Sequence, residues 1–472
     1  MPVLIRVIIL LVTFIVIMLL DDARTIGSVE MCLYALYLAY DIYASKAIRL
    51  SQVWVLAFVY IILSDVILTN PIDLWSTRYM IAANNMVLLA YLFTKSKIRV
   101  NPEKLQWNFK IANPKTVKVF LFVCYALYIA VFASEAMRAF QGGRIDDATV
   151  REVRSGSEIL APIVSSLGLL LPAMIVFFYK NVEEKYANLK ATLLSMPVFI
   201  ILFMLGSRFP LLFSLLAFLI CGEYVNIYNI SRKQMMTVLV GGILLVSVTS
   251  MMKEIRVYGV GNERHHTSLV QKQEETVFVK VAEKMSPEGI IKMMNLSHTY
   301  FKNNDYTMGS SSLFLFYFWV PRFLWPDKPA MLGYWLPRKV QHNLGLWHSA
   351  SFGFPGEFYA DFGIYSLLVT ILFGILLKKL DCFVLSNLIY NRPKRILAAM
   401  IFPYVFFFVR SPITATMTLM SIMIYIYIYI SRFYALLTLK SKKRGRPAED
   451  CDFGRASLCL LLNPSCNYAI RA

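Results

Sequence analysis

Long apolar runs recur along this chain, and they constrain its fold more than any other feature. The first run, VLIRVIILLVTFIVIMLL, covers residues 3–20 and contains one charged side chain. About 17 to 25 predominantly apolar residues allow an α-helix to cross the hydrocarbon core of a bilayer. Similar runs continue as far as residue 430 of 472. The sequence therefore predicts an all-α, polytopic membrane protein.

Composition agrees with this class. Hydrophobic residues make up 58% of the chain and charged residues only 16%, whereas a soluble domain carries about 25% charged residues. The net charge of +19 is explained by lysine and arginine in cytoplasmic loops. No basic stretch is interleaved with aromatic residues on a soluble module, so we expect no nucleic-acid partner.

Hydropathy predicts twelve spans, of which the second and fourth are weak because they contain Glu30 and Asp41, and Asn84 and Asn85, respectively. The predicted spans are residues 3–20, 28–44, 51–69, 79–94, 116–135, 159–179, 190–205, 209–225, 235–252, 356–379, 395–409 and 412–430.

Charge sets the predicted orientation. With the N-terminus in the cytoplasm, every inner connection is basic, so both termini are predicted to be cytoplasmic. The chain then divides into nine spans within 1–252 that include an outer loop at 136–158, a large outer loop at 253–355, three spans at 356–430 and a basic tail at 431–472.

The short outer segments contain arginine and no lysine. Guanidinium groups match phosphate oxygens bidentately, whereas ammonium acts as a point charge. This bias favours an anion site on the outer face; the alternative is chance in a small sample. The outer arginines are Arg24, Arg78, Arg138, Arg144, Arg151, Arg154, Arg208 and Arg410.

The large loop contains all five histidines of the chain, at positions 265, 266, 298, 342 and 348. None of them has the spacing of a helical zinc pair, and no phosphate-binding glycine motif or nucleophile elbow occurs, so we expect no metal and no cofactor. The loop is predicted to form a helix at 274–285 and to lie along the outer membrane interface at 311–329.

The segment VPRFLWPDKP combines three prolines with charged and aromatic residues. Proline fixes φ, so a rigid segment is expected. We expect Phe323, Leu324 and Trp325 to anchor it at the interface and Arg322 to face an outer cavity. Asp327 is expected to pair locally with Lys328 or Arg322.

Two further motifs lie beside predicted spans. GSRFP places Arg208 at a tight outer turn, and GEFYADFG places Glu357 and Asp361 four residues apart on one face at the start of the tenth span. Acids at a helix start are favoured by the helix dipole. The alternative is a carboxylate that orients or deprotonates a substrate hydroxyl.

GSR (206–208), PRFLWPDKP (321–329) and GEFYADFG (356–363) together resemble the O-antigen polymerase (Wzy-type) family of oligosaccharide repeat-unit polymerases. That group is similar to O-antigen ligases as well. The resemblance covers the layout of residues 160–430. It implies a metal-independent glycosyltransferase with a GT-C-like architecture in the bacterial inner membrane.

The implied reaction transfers a growing glycan from undecaprenyl pyrophosphate to the terminal sugar of a fresh lipid-linked repeat unit. The implied partners are these lipid-linked glycans and membrane lipids, with a chain-length regulator and a flippase as further candidates. The candidate catalytic residues are His348, Glu357, His298 and His342, with Asp146 or Asp147 as replacements. The candidate pyrophosphate-binding residues are Arg208, Arg322, Lys328, Arg144, Arg151 and Arg154.

Two alternatives remain open from the sequence. A ligase would transfer the glycan to another acceptor. A transporter or flippase would need a site near the middle of the membrane with broken helices or paired buried charges, for which Glu30, Asp41 and Asp65 are the candidates.

Overall fold

The computed structural model describes most of the chain. The described residues are 2–45, 47–68, 74–96, 114–142, 160–182, 185–205, 208–225, 289–318, 320, 324–340, 350–390 and 395–426. Within these ranges the chain is helical and contains no β-strand.

The described residues form fifteen helices, which we number in chain order. They are α1 (Pro2–Leu19), α2 (Ala23–Ser45), α3 (Leu50–Leu68), α4 (Leu74–Phe93), α5 (Pro114–Gly142), α6 (Leu160–Val182), α7 (Ala187–Met204), α8 (Arg208–Cys221), α9 (Ile290–Phe301), α10 (Ser310–Tyr317), α11 (Leu332–Val340), α12 (Gly353–Phe362), α13 (Ser366–Tyr390), α14 (Arg395–Arg410) and α15 (Pro412–Ile426).

Within the described residues the all-helical prediction is confirmed, and every predicted span except 235–252, which lies outside them, overlaps a helix. Among the described residues, four helical segments are long and apolar enough to cross a membrane. They are Leu50–Leu68, Pro114–Met137, Ala187–Met204 and Gly353–Leu388. The protein is therefore of the helical membrane class, and the count of twelve spans stays a prediction.

Burial separates the helices inside the bundle from those at its surface. In α3, 83% of the apolar window is buried, compared with 28% in α5 and in α7. Apolar side chains that remain exposed on a long helix require a lipid environment. Hence α5 and α7 present the surface best suited to lipid, while α3 belongs to the core.

The two weak spans, α2 and α4, are polar because they pack inside the bundle. The Tyr34 hydroxyl of α2 donates to Asn85 Oδ1 of α4 at 2.6 Å. The Trp54 indole of α3 donates to Asn84 Oδ1 at 2.9 Å. Polar side chains inside a membrane bundle are stable when a neighbouring helix supplies their hydrogen-bond partner. The two asparagines that weaken the hydropathy signal of α4 thus connect it to α2 and α3.

Contacts between helix ends define two ends of the bundle. At one, the Asp381 end, the carboxylate of Asp381 accepts the backbone N–H of Leu50. At the other, the Asp65 end, the carboxylate of Asp65 accepts the N–H of Ile291. In the orientation predicted from charge, the Asp65 end lies on the outer side of the membrane.

The predicted tenth span is wrong in its boundaries, because the structure divides it into α12 and α13. The break falls at Gly363, whose φ is +56° and ψ is −138°. Helix α13 has 25 residues, which is about 37 Å and long enough to cross a membrane alone. Residues 353–361 of α12 are all buried. GEFYADFG is therefore a separate buried helix that precedes the span.

One loop boundary also differs from the prediction. Helix α5 continues to Gly142, into the predicted outer loop that begins at residue 136. The large loop contains short helices, as expected, since α9, α10 and α11 all lie within 253–355. The helix predicted at 274–285 lies outside the described residues.

The break at Gly363 predicts a strong effect of Gly363→Ala. A Cβ there would lie 2.6 Å from Tyr306 Cζ, and φ is positive. Strain and overpacking together should cost roughly 2–4 kcal/mol. Gly289→Ala is the matched control, because Gly289 also has a positive φ but no atom would lie within 4 Å of its Cβ. Thermal unfolding of purified protein checks this, and equal melting temperatures for the two variants would contradict it.

Candidate functional site

Glu357 of α12 is buried and binds the start of another helix. Its Oε1 accepts the hydroxyl of Ser411 at 2.8 Å, and its Oε2 accepts the N–H of Ile413 at 2.9 Å. Ile413 belongs to the first turn of α15, where backbone N–H groups have no partner within their own helix. Glu357 therefore satisfies the N-terminus of α15 from a neighbouring element.

Asp361 likewise binds the N-terminus of α10. Its Oδ1 accepts the N–H of Ser311 at 3.1 Å, and its Oδ2 accepts the N–H of Ser312 at 3.0 Å. The hydroxyls of Thr307 and Ser312 also donate to it. A carboxylate at a helix N-terminus is favoured by both hydrogen bonding and the helix dipole. The two acids predicted to share one face of a helix are thus held by two other helices.

Two further buried acids also accept backbone N–H groups at the start of another helix. Asp65 of α3 accepts the N–H groups of Gly289 and Ile291 at the start of α9, at 3.2 and 2.7 Å. Asp381 of α13 accepts the N–H of Leu50 at the start of α3, at 2.8 Å. Both carboxylates are 2% exposed. Helix starts inside the bundle are therefore satisfied by protein carboxylates.

The opposite face of α12 carries Tyr359, which contacts His298 and Trp75. The rings of Trp75 and His298 stack with centroids 3.7 Å apart and planes 12° apart. The Tyr359 ring lies 5.2 Å from Trp75 and 6.2 Å from His298. The structure thus brings His298, a candidate base, against the GEFYADFG helix.

His298 and Glu357 nevertheless do not form a pair. Residues two apart on an α-helix point about 200° apart, so Tyr359 and Glu357 face opposite sides of α12. Because His298 contacts the Tyr359 side, the helix separates it from Glu357. The two candidates would act on different sides of α12.

Arg410 lies on the Glu357 side, close enough for the two charges to interact. Its guanidinium carbon is 5.1 Å from the ring centre of Phe209 and 5.9 Å from that of Phe407. Phe209 follows Arg208, so the first turn of α8 and the last turn of α14 are adjacent. The structure describes the backbone of Arg208 but not its side chain.

Arg410 is one of the outer arginines but is not among the site residues that the sequence predicts, although it lies at a helix junction like Arg208. A shared local pattern links the two. In both GSRFP and RSP, an arginine lies just before a proline at or near the start of a helix.

Lys328 has a local structural role. Its Nζ donates to the carbonyls of Phe318 and Val320 at 3.1 and 2.8 Å, and it lies 5.6 Å from the ring centre of Phe314. These contacts tie the proline-rich turn to the end of α10. Its predicted role in anion binding stays a prediction.

The side chains of Leu324 and Trp325 are 68% and 39% exposed. That exposure fits their predicted role as anchors at the membrane interface.

Several predicted site residues lie outside the described residues: Arg144, Arg151, Arg154, Arg322, His342 and His348, together with the alternative bases Asp146 and Asp147. Within the described ranges, no three His, Cys, Asp or Glu side chains lie close enough together to hold a metal ion. No protein-family model, curated protein or solved structure matches this chain.

The contacts of Glu357 predict which of its substitutions will destabilise the protein most. Glu357→Ala leaves the buried N–H of Ile413 and the hydroxyl of Ser411 without an acceptor, which should cost roughly 2–4 kcal/mol. Glu357→Gln should cost about 1 kcal/mol or less, because its carbonyl can accept from Ile413 while its amide donates to Ser411.

Chemical denaturation of the purified variants measures this difference. Asp305→Ala, which removes an exposed carboxylate, is the control and should match the wild type. If Glu357→Ala is as stable as Asp305→Ala, Glu357 does not support α15.

Proposed function

We propose that this protein polymerises lipid-linked oligosaccharide repeat units by glycosyl transfer at the outer face of the bacterial inner membrane. One observation carries the proposal. The buried helix α12 has a stacked histidine and tryptophan on one side and the arginine-bearing junction of α8 and α14 on the other. Transfer from a pyrophosphate carrier needs a base for the attacking hydroxyl and cations for the departing anion.

The arginines act on the leaving group. When the bond between the anomeric carbon and the pyrophosphate oxygen breaks, that oxygen takes the bonding electrons and negative charge grows on it. Fixed guanidinium groups lower the energy of this charge most when they are already in position. We assign this role to Arg208 and Arg410, with Arg322, Lys328, Arg144, Arg151 and Arg154 as further contacts from the loops.

His298 is the base on the acceptor side. Its ring is held flat against Trp75, and α9, which carries it, is fixed at its start by Asp65. A catalytic group is effective when its surroundings restrict its position. In this scheme Glu357 supports α15, while His342 and His348 remain alternative bases.

The transporter alternative loses one of its three candidate charges. Asp65 is occupied by the start of α9. Asp41 forms a buried pair with Arg6 at 2.6 Å, which is the kind of paired charge that a transporter would need, and the two carboxylate oxygens of Glu30 are buried without a hydrogen-bond partner. A ligase shares the proposed chemistry and differs only in its acceptor.

Glycan banding after gene deletion tests the proposed function. Loss of a polymerase should convert the ladder of long chains to core plus a single repeat unit. Loss of a ligase should leave no repeat attached, and loss of a flippase should trap the substrate on the cytoplasmic side. Either of these last two patterns, or an unchanged ladder, would reject the polymerase.

Complementation of the deletion strain then tests His298. His298→Phe keeps a flat ring that can stack on Trp75 but removes the nitrogen base. We expect normal abundance and a loss of polymer of at least about a hundredfold, the usual contribution of general base catalysis. Arg78→Lys is the control, because Arg78 binds the carbonyl of Leu20 and Asp21 and lysine can keep the ion pair. A full ladder from His298→Phe would assign the base elsewhere.

A further inference from the structure

An aromatic surface surrounds His298 at the Asp65 end of the bundle. Five of its rings are half-buried, and we call them the aromatic rim: Trp75, His298, Tyr300, Tyr306 and Trp335. They come from separate segments, namely α4, α9, the connection after α9, and α11. Beneath them lie the buried rings of Tyr79, Phe301 and Tyr359.

The rings of the rim and its base form a continuous set of contacts. Trp75 stacks on Tyr79 with centroids 5.1 Å apart and planes 6° apart. Trp335 lies 5.9 Å from Tyr300 and 6.3 Å from Phe301. Tyr306 stacks on Phe301 at 5.6 Å. The half-buried rings are thus held in place by the buried ones.

Exposed polar side chains lie directly beside the rim. Lys302, Asn303, Asn304 and Asp305 follow α9 and are all exposed, and Asn304 Nδ2 donates to the carbonyl of Tyr300 at 2.8 Å. The acyl chains of lipids do not pack favourably against such polar and charged side chains. A half-exposed aromatic surface beside amide and charged groups fits an amphipathic ligand that has both apolar faces and hydroxyl groups.

We propose that the aromatic rim binds the terminal sugar of the acceptor glycan. This proposal rests on the proposed function, because it names the subsite that receives the attacking sugar. A pyranose ring has a flat face of C–H groups, which packs against aromatic rings, and hydroxyl groups around its edge, which bind amides and carboxylates. Because His298 belongs to the rim, a sugar packed there brings a hydroxyl to the base.

Trp335 gives the sharpest test, since it contributes a half-buried ring and is not a candidate base. The probe is the repeat-unit oligosaccharide released by mild acid from the lipid-linked pool of the producing strain. Its binding to purified, detergent-solubilised protein is measured by calorimetry. Trp335→Leu should lower the affinity roughly tenfold, whereas Trp335→Tyr should stay within about threefold of the wild type.

Trp325→Leu is the matched control, because Trp325 is exposed in the proline-rich turn and contacts Tyr317 rather than the rim. It should bind like the wild type. If Trp335→Leu does not fold, Tyr300→Leu repeats the test at the ring that Trp335 contacts. The aromatic subsite would be overturned if the wild type does not bind the probe. It would also be overturned if the wild type, Trp335→Leu and Trp335→Tyr bind the probe with equal affinity.

The two proposals fail in different ways. An intact ladder after gene deletion rejects the polymerase, yet probe binding that Trp335→Leu weakens would still establish a glycan site. Conversion of the ladder to core plus a single repeat unit, together with normal binding by Trp335→Leu, retains the polymerase and rejects the aromatic subsite.

Discussion

Buried carboxylates that accept the backbone N–H groups of other helices hold this bundle together. The first N–H groups of a helix have no partner within that helix, and inside a membrane water does not supply one. Glu357 and Asp361 of α12 meet this requirement for α15 and α10. Because one short helix satisfies two others, a displacement of α12 would leave both helix starts unsatisfied at once.

Under the proposed function, the same arrangement determines where the reaction occurs. Asp65 fixes the start of α9, and α9 carries His298 to the Tyr359 face of α12. Arg410 lies beyond the opposite face, near the start of α8. Under the proposed function, the acceptor sugar and the departing pyrophosphate would therefore bind on different sides of α12. Such a division suits a reaction that joins two lipid-linked substrates.

Hydropathy predicts the long helices, because the length and apolarity of a run are local properties, but it does not predict α9 or α11 in the large loop. The i,i+4 spacing also identified Glu357 and Asp361 as a pair on one face. Their partners could not be predicted, since Ser411 and Ile413 are about fifty residues away in sequence. The sequence also does not predict the break at Gly363, which lies against Tyr306. The stack of His298 on Trp75 joins residues more than two hundred positions apart, so the sequence does not predict this contact either.

Amide hydrogen exchange tests the central claim most directly. In the purified protein, Asp361→Ala removes the acceptor of the Ser311 and Ser312 amides but leaves Glu357 and the Ile413 amide in place. Exchange measured by mass spectrometry should then accelerate at the start of α10, by roughly tenfold or more for a lost bond of about 1.5 kcal/mol to a charged group. Peptides that cover the start of α15 should stay protected. Unchanged exchange at the start of α10 would show that the carboxylates of α12 do not hold the helices that this account assigns to them.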